Sequence, residues 1–113
     1  MTPVIVLTTV AASFDPQPLA LDLVERRLAA CVNIIPRIHS IYRWKGKIER
    51  DDEQLLLIKT VEERVPQLKE ALFAVHPYEV PEFVVIAPHD VAEPYRQWLF
   101  DSTTSEESKP FRR

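Results

Sequence analysis

The chain is poor in glycine and cysteine: it has 113 residues, one glycine and one cysteine. Phosphate-binding loops and dinucleotide fingerprints need two or three glycines close together, so this chain cannot form either kind of site. The single cysteine, Cys31, excludes an intrachain disulfide and a metal site built on paired cysteines. Because its neighbours are apolar, we predict that Cys31 is a buried small hydrophobic residue, with a metal-ligating or reactive thiol as the alternative.

A strong charge imbalance and long apolar runs are also missing. The chain carries 14 Lys and Arg against 17 Asp and Glu, a formal net charge of −3 at pH 7. It has no basic cluster of the kind that binds nucleic acid, so we predict no nucleic-acid partner. No apolar run approaches the roughly 20 residues needed to cross a bilayer, and no signal-peptide pattern opens the chain. We therefore predict a soluble, cytoplasmic protein without a membrane partner.

The chain has the length of one domain and 46% hydrophobic residues, enough for a core. We predict that this domain covers residues 1–101 and that residues 102–113 form a polar tail. Apolar periodicity predicts strands over 4–10, 31–44, 47–61 and 82–87, and helices over 16–30, 62–76 and 91–100. The order β-α-β-β-α-β with an added helix is typical of the α+β class, a ferredoxin-like split βαβ fold with two helices on one face of an antiparallel sheet.

Three local signals refine this order. Gly46 separates the two longest predicted strands and is expected at φ > 0 in a tight hairpin turn. Pro36 cannot donate a backbone hydrogen bond, so we predict a bulge or an unpaired edge there. Asp15, followed by Pro16, is expected to cap the first helix.

The length of the predicted hairpin indicates a partner chain. A strand of about 13 residues spans about 43 Å, whereas a helix of about 14 residues covers only about 21 Å. The outer half of the hairpin, which also carries Tyr42 and Trp44, should therefore expose strand edges and apolar side chains. Exposed edges pair with other chains unless they are protected, so we predict a homo-oligomer built by strand pairing between hairpins. A hairpin that curls back over its own domain is the alternative.

Four motifs, taken in order, closely resemble the CutA (CutA1) divalent-cation tolerance proteins. They are LAACVNIIP at 28–36, SIYRWKGKIE at 40–49, LIKT at 57–60 and HPYEVPE at 76–82. The resemblance implies a tight homotrimer, similar in architecture to the PII signalling proteins, with hairpins paired between subunits. It also implies a role in tolerance of divalent metals, with copper as a candidate ligand and no required cofactor or enzymatic activity. Of three ligands proposed in some relatives, only His76 is kept, since Thr8 and Val75 occupy the other positions.

The HPYEVPE motif is the best candidate site from the residues themselves. His76 is a candidate ligand for Cu²⁺ or Zn²⁺, because imidazole and carboxylate suit these ions; a structural role at the end of a helix is the alternative. Lys59 interrupts an apolar strand, so it should be paired or lie at a cleft. One prediction is a buried ion pair with Glu79 or Glu82 across a subunit boundary. The alternative is an inter-subunit cleft for a small anionic or aromatic ligand, formed by Trp44, Lys59, Tyr78, Glu79 and Glu82.

The remaining polar residues are expected at the surface. We predict that His39 and His89 are exposed and that the acidic stretch 49–53 is solvated and protects a strand edge. Three functions remain open: a non-enzymatic trimer that binds a transition metal, a PII-like sensor with a ligand between subunits, and a structural interaction module. An enzyme is disfavoured, since no nucleophile with a neighbouring base stands at a familiar spacing.

Overall fold

A computed structural model of the protein describes residues 1–104. Four strands form one antiparallel sheet in the order β2-β3-β1-β4. The strands are β1 (Pro3–Ala11), β2 (Cys31–Trp44), β3 (Lys47–Val61) and β4 (Val84–Ile86). The helices are α1 (Gln17–Glu25), α2 (Val65–Val75), which follows a short 3₁₀ turn at Glu62–Arg64, and α3 (Glu93–Thr103). The predicted ferredoxin-like fold is confirmed.

The core lies between α1, α2 and one face of the sheet. Leu23 of α1 and Leu72 of α2 are fully buried there against Leu56 and Ile58 of β3. On each helix the buried leucines are four residues apart, and on β3 the buried residues occupy every second position. Each element therefore turns one apolar face to the others. A smaller cluster joins Leu99 of α3 to Val61 at the end of β3. The core therefore fixes the sheet against both helices and leaves the far end of the hairpin outside it.

The β2–β3 hairpin has the predicted bounds and turn. Lys45 (φ 50°) and Gly46 (φ 79°) both adopt positive φ, as a two-residue type I′ turn requires. A Cβ added to Gly46 would meet nothing within 4 Å, so its backbone conformation explains the glycine, not lack of space. The register shifts between Ile35 and Ile38, which confirms the bulge predicted at Pro36. Arg37, inside this bulge, also has a positive φ of 61°.

The hairpin extends well beyond the helices. The described part of the chain measures 50 × 28 × 23 Å along its principal axes. Near the hairpin tip, Ile41 and Ile48 are 69% and 55% exposed. A single chain thus leaves large apolar side chains in water, as the length argument predicted.

Some predicted helix ends are wrong. Helix α1 ends at Glu25, not near Ala30, because Arg27 adopts a left-handed conformation (φ 59°) and the N–H groups of Leu28 and Ala29 both turn back to the carbonyl of Leu23. This turn carries Leu28 into the core. Helix α1 also begins one residue later than predicted, although the Asp15 carboxylate still accepts a hydrogen bond from the Gln17 N–H at 3.1 Å.

The last two elements differ in length from the prediction. Strand β4 keeps only three residues of the predicted 82–87, since it pairs with β1 only opposite Leu7, Val6 and Ile5. Helix α3 begins at Glu93 and continues to Thr103, past the predicted start of the tail at residue 102. Thr103 is buried and its hydroxyl donates to the Leu99 carbonyl at 2.8 Å, which adds a turn to the helix. Residues 105–113 of the predicted tail lie outside the described residues.

Candidate functional site

His76 ends α2 and joins this helix to β1, an inner strand of the sheet. Its backbone N–H donates to the Leu72 carbonyl, and its backbone then becomes extended before Pro77. The ring turns toward β1, where Nε2 lies 2.9 Å from the Thr9 carbonyl and 3.3 Å from the Thr8 hydroxyl. Nδ1 accepts the backbone N–H of Tyr78 at 3.1 Å. Both ring nitrogens are therefore used by the fold, in the pattern of a neutral imidazole that carries its proton on Nε2.

Burial sets the protonation state of this imidazole. It lowers the pKa of His76 below the usual 6.5, against the opposing effects of the Thr9 carbonyl and the Glu53 carboxylate. A protonated ring would lose the hydrogen bond from Tyr78, since Nδ1 would then carry a proton itself. The folded state thus favours the neutral form.

We expect the protein to lose stability as the pH falls below about 6.5. Between the lowered pKa of His76 in the folded state and its value of 6.5 in the unfolded state, the unfolded chain binds more protons than the folded chain. The free energy of unfolding therefore decreases as the pH is lowered through this window. Urea midpoints measured from pH 8 to pH 5 should decrease in the wild type. The slope should disappear in His76→Gln and persist in His89→Gln, which alters an exposed histidine. An unchanged slope in His76→Gln would show that other groups carry it.

Tyr78 places a phenol over a buried carboxylate. Its hydroxyl donates to Glu53 Oε2 at 2.6 Å, and Glu53 is only 7% exposed. The pKa of Tyr78 is raised well above its usual range. Burial is the main cause, and the hydrogen bond to Glu53 is the second. Glu53 was missed by the sequence analysis, which placed it in a solvated stretch. The alternation of β3 does not predict this burial, because Glu53 shares its side of the strand with Leu55 and Leu57, which are only half-buried and face away from the core.

A second phenol–carboxylate pair lies farther along the hairpin. The Tyr42 hydroxyl donates to Asp51, and this hydrogen bond is the main reason that the pKa of Tyr42 rises to about 12. Near the tip, Lys45 Nζ lies 3.9 Å from the Glu79 carboxylate, with both side chains exposed. The segment after His76 is thus tied to the hairpin at Glu53 and Lys45.

A single chain does not assemble the predicted cleft. Lys59 stands opposite Cys31 and Ile5, six residues along β3 from Glu53 and hence about 20 Å away. Within residues 1–104 Lys59 forms no ion pair, and Glu79 pairs with Lys45 instead. Trp44 stands at the hairpin tip and Glu82 is exposed. Tyr78 and Glu79 approach the outer hairpin, which carries Trp44, whereas Lys59 lies at the other end of β3, so a cleft that includes Lys59 would need a second chain.

The other candidate residues are only partly as predicted. His39 and His89 are exposed, as expected. His39 Nδ1 lies 2.7 Å from the Asp52 carboxylate at the surface. Cys31 is half-buried, not buried, because it begins β2, an edge strand of the sheet; its thiol lies 3.7 Å from the Asn33 side-chain oxygen.

Known proteins share this arrangement over nearly the whole described chain. A family model for CutA1, the divalent ion tolerance protein, matches residues 4–102. The chain belongs to the CutA1 family. The divalent-cation tolerance protein CutA of Thermus thermophilus is 46% identical over 99 residues, which cover 88% of this chain and 96% of that protein.

Two further relatives define the extent of the match. The CutA1 crystal structure from Oryza sativa aligns with a TM-score of 0.87 at 38% identity and covers 94% of this chain and 97% of that one. Protein CutA of Mus musculus is 51% identical over 87 residues, or 77% of this chain. The match spans only about half of the mouse protein, 49% of its length.

The described residues of one chain form no complete site for the metal ion that the sequence analysis predicted. Among residues 1–104, no three His, Cys, Asp or Glu side chains converge closely enough to hold an ion. His76 could bind a metal only by giving up a hydrogen bond, to Thr9 or from Tyr78. In the same part of the chain, no helix is long and apolar enough to span a membrane.

Proposed function

We propose that this CutA1-family chain contributes to tolerance of divalent metal ions as a non-enzymatic cytoplasmic homotrimer that binds Cu²⁺ or a similar transition-metal ion between subunits. The observation that carries the proposal is the long β2–β3 hairpin. Its outer half exposes Ile41 and Ile48, and β2 is an edge strand of the sheet that residues 1–104 form. Such an edge pairs readily with another copy of itself.

The location between subunits follows from the ligands within one chain. Cu²⁺ and Zn²⁺ favour imidazole together with carboxylate or thiolate, and stable sites use three or four protein ligands. One chain offers His76, which is hydrogen-bonded, and the exposed pair His39 and Asp52 on the hairpin. If hairpins pair between chains, residues on the hairpin meet side chains of a second subunit. Assembly would then supply the missing ligands.

Calorimetric titration of metal-free protein with Cu²⁺ and Zn²⁺ tests this proposal. We expect sub-micromolar binding by the wild type and much weaker binding by a monomeric variant that carries Ile41→Lys and Ile48→Lys. Parallel titrations of His76→Ala and His39→Ala identify which imidazole contributes, since loss of a ligand typically weakens binding more than tenfold, about 1.4 kcal/mol. Equal affinity in the monomeric variant would contradict a site between subunits. Binding no tighter than that of free histidine would contradict metal binding itself.

A PII-like sensor with a ligand between subunits is the second candidate. The observation that favours it is the buried Glu53 carboxylate with the Tyr78 phenol, an uncommon polar pair beside the segment that links α2 to β4. Across an interface, this pair could face Lys59 and Trp44 of another copy. A thermal-shift screen of nucleotides and small metabolites, repeated with Tyr78→Phe, separates this candidate from the metal proposal. Stabilisation by a compound, lost in Tyr78→Phe, would support it.

A further inference from the structure

A cavity of about 570 Å³ lies at the bulge of the hairpin, apart from the segment that carries His76 and Tyr78. Its lining residues are Ala12, Pro36, Arg37, His39, Asp52 and Gln54. The volume falls in the range of about 300–1,000 Å³ that is usual for small-molecule sites in proteins. Charged groups of both signs therefore meet in one cavity of the size that a small ligand needs.

The bulge determines which side chains face this cavity. Because Pro36 and Arg37 stand together opposite Gln54, the residues of β2 after the bulge change sides relative to those before it. His39 therefore pairs with Asp52 on the side of the sheet that also carries Gln54. In a regular strand, an isoleucine would occupy the position of His39.

Arg37 is the cation of the cavity that has no partner. Its φ of 61° lies in the left-handed region, which residues other than glycine rarely adopt. Within residues 1–104 its guanidinium forms no hydrogen bond and no ion pair. Backbone strain of this kind is concentrated at functional sites, and a guanidinium binds a carboxylate through two parallel hydrogen bonds. Arg37 therefore supplies a binding group for a carboxylate.

Gln54 and Asp52 supply hydrogen-bond acceptors. Gln54 Nε2 donates to the Ala11 carbonyl at 3.1 Å and to the Phe14 carbonyl at 2.7 Å, which uses both of its protons. Its Oε1 accepts no hydrogen bond from the described part of the chain. Asp52 Oδ1 lies 2.7 Å from His39 Nδ1, so Oδ2 is left for another donor. These acceptors suit an ammonium group.

The bulge also keeps the cavity accessible when β2 pairs with another chain. Pro36 has no backbone N–H, and the register shift breaks the regular spacing of donors and acceptors along this strand. Strand pairing with a second copy is therefore interrupted at Pro36 and Arg37, the two residues that border the cavity on β2.

We propose that this cavity binds a free α-amino acid through its zwitterionic backbone. The carboxylate pairs with Arg37, and the ammonium group donates to Gln54 Oε1 and Asp52 Oδ2. A purely anionic ligand would meet the Asp52 carboxylate, and a purely cationic one would meet Arg37, so the cavity selects against both. Binding requires no metal ion, so this proposal and the proposed metal function stand or fall separately.

Thermal-shift screening of the full chain, kept metal-free with a chelator, against the standard L-amino acids at millimolar concentration tests the proposal. Calorimetry then compares the amino acid that stabilises the protein most with its deaminated acid and its decarboxylated amine, which keep the same side chain. We expect the amino acid to bind at least about tenfold more tightly than either analogue, because each analogue lacks one of the two charged groups. Stabilisation by no amino acid would overturn the proposal, as would equal binding of the amino acid and either analogue.

Two variants locate the binding site. In Arg37→Gln the amino acid should bind no more tightly than the amine, since the partner of its carboxylate is gone. In Asp52→Asn it should bind at least about tenfold more weakly than in the wild type. The matched control is Arg43→Gln, which removes an exposed arginine of β2 that does not line the cavity and should leave the affinity unchanged. Equal losses in Arg37→Gln and Arg43→Gln, or no loss in Arg37→Gln, would overturn the proposal.

Discussion

Replacing Ile41 and Ile48 with lysine is expected to convert the proposed homotrimer into a particle of 13.1 kDa, the mass of one chain. Ile41 stands opposite Arg50 and Ile48 opposite Arg43, so all four side chains point to one side of the hairpin. Burial of an isoleucine contributes about 1.5–3 kcal/mol. Two such residues in each of three chains would contribute on the order of 10 kcal/mol to the proposed assembly. Lysine removes this contribution and adds repulsion from both arginines.

Light scattering coupled to size exclusion measures the mass directly. The matched control is Leu21→Lys, which changes an equally exposed apolar residue on α1, outside the hairpin, and should leave the mass unchanged. Circular dichroism of the double variant should retain its strand content, because β1 and β3 pair over nine positions within the domain. A double variant that keeps the wild-type mass would show that the outer hairpin does not hold the subunits together.

The hairpin could be predicted from the sequence because its signals are local. Gly46 needs a positive φ, Pro36 lacks a donor, and an apolar stretch lies on each side of the turn, at 34–35 and at 55–58. Each of these constraints acts within a few residues, so neither distant contacts nor packing can overrule it easily. The bounds of β2 and β3 and the bulge were accordingly correct.

The errors occurred where distant contacts decide the local conformation. Helix α1 stops at Glu25 because Leu28 must enter the core, and Arg27 takes the left-handed conformation that a glycine would usually mark. Helix α3 extends to Thr103 because Arg64 and Arg27 bind its last carbonyls from other elements. Neither contact has a signature in the adjacent sequence.

At the candidate site, the sequence likewise indicated which residues matter but not which residues they contact. The HPYEVPE motif drew attention to His76 and Tyr78, but their partners are Thr9 and Glu53, 67 and 25 residues away. The His76 ring donates a hydrogen bond to the Thr9 carbonyl of β1 and accepts one from the Tyr78 backbone N–H, so it links two parts of the fold. The same side chains that suggested a metal ligand therefore fasten the α2–β4 segment to the sheet, and a metal must compete with that role.

Leu72→Ala is expected to lower the free energy of unfolding by about 3 kcal/mol, since it removes buried methyl groups and leaves a cavity. Leu72 is fully buried on α2 and belongs to the cluster formed with Leu23, Leu56 and Ile58. The helix that carries it also positions His76, because the His76 N–H caps the Leu72 carbonyl. Loss of packing at Leu72 should therefore weaken the hydrogen bond from His76 to Thr9 as well.

Urea unfolding at one fixed chain concentration measures this effect, because the apparent stability of an oligomer depends on concentration. The matched control is Leu21→Ala, the same chemical change at a 60% exposed position of α1; it should cost less than about 0.5 kcal/mol. Similar losses in the two variants would mean that the core between the helices and the sheet does not determine stability. A large loss in Leu72→Ala that leaves the wild-type mass intact would locate the cost inside the subunit, since the hairpin contacts would then be unchanged.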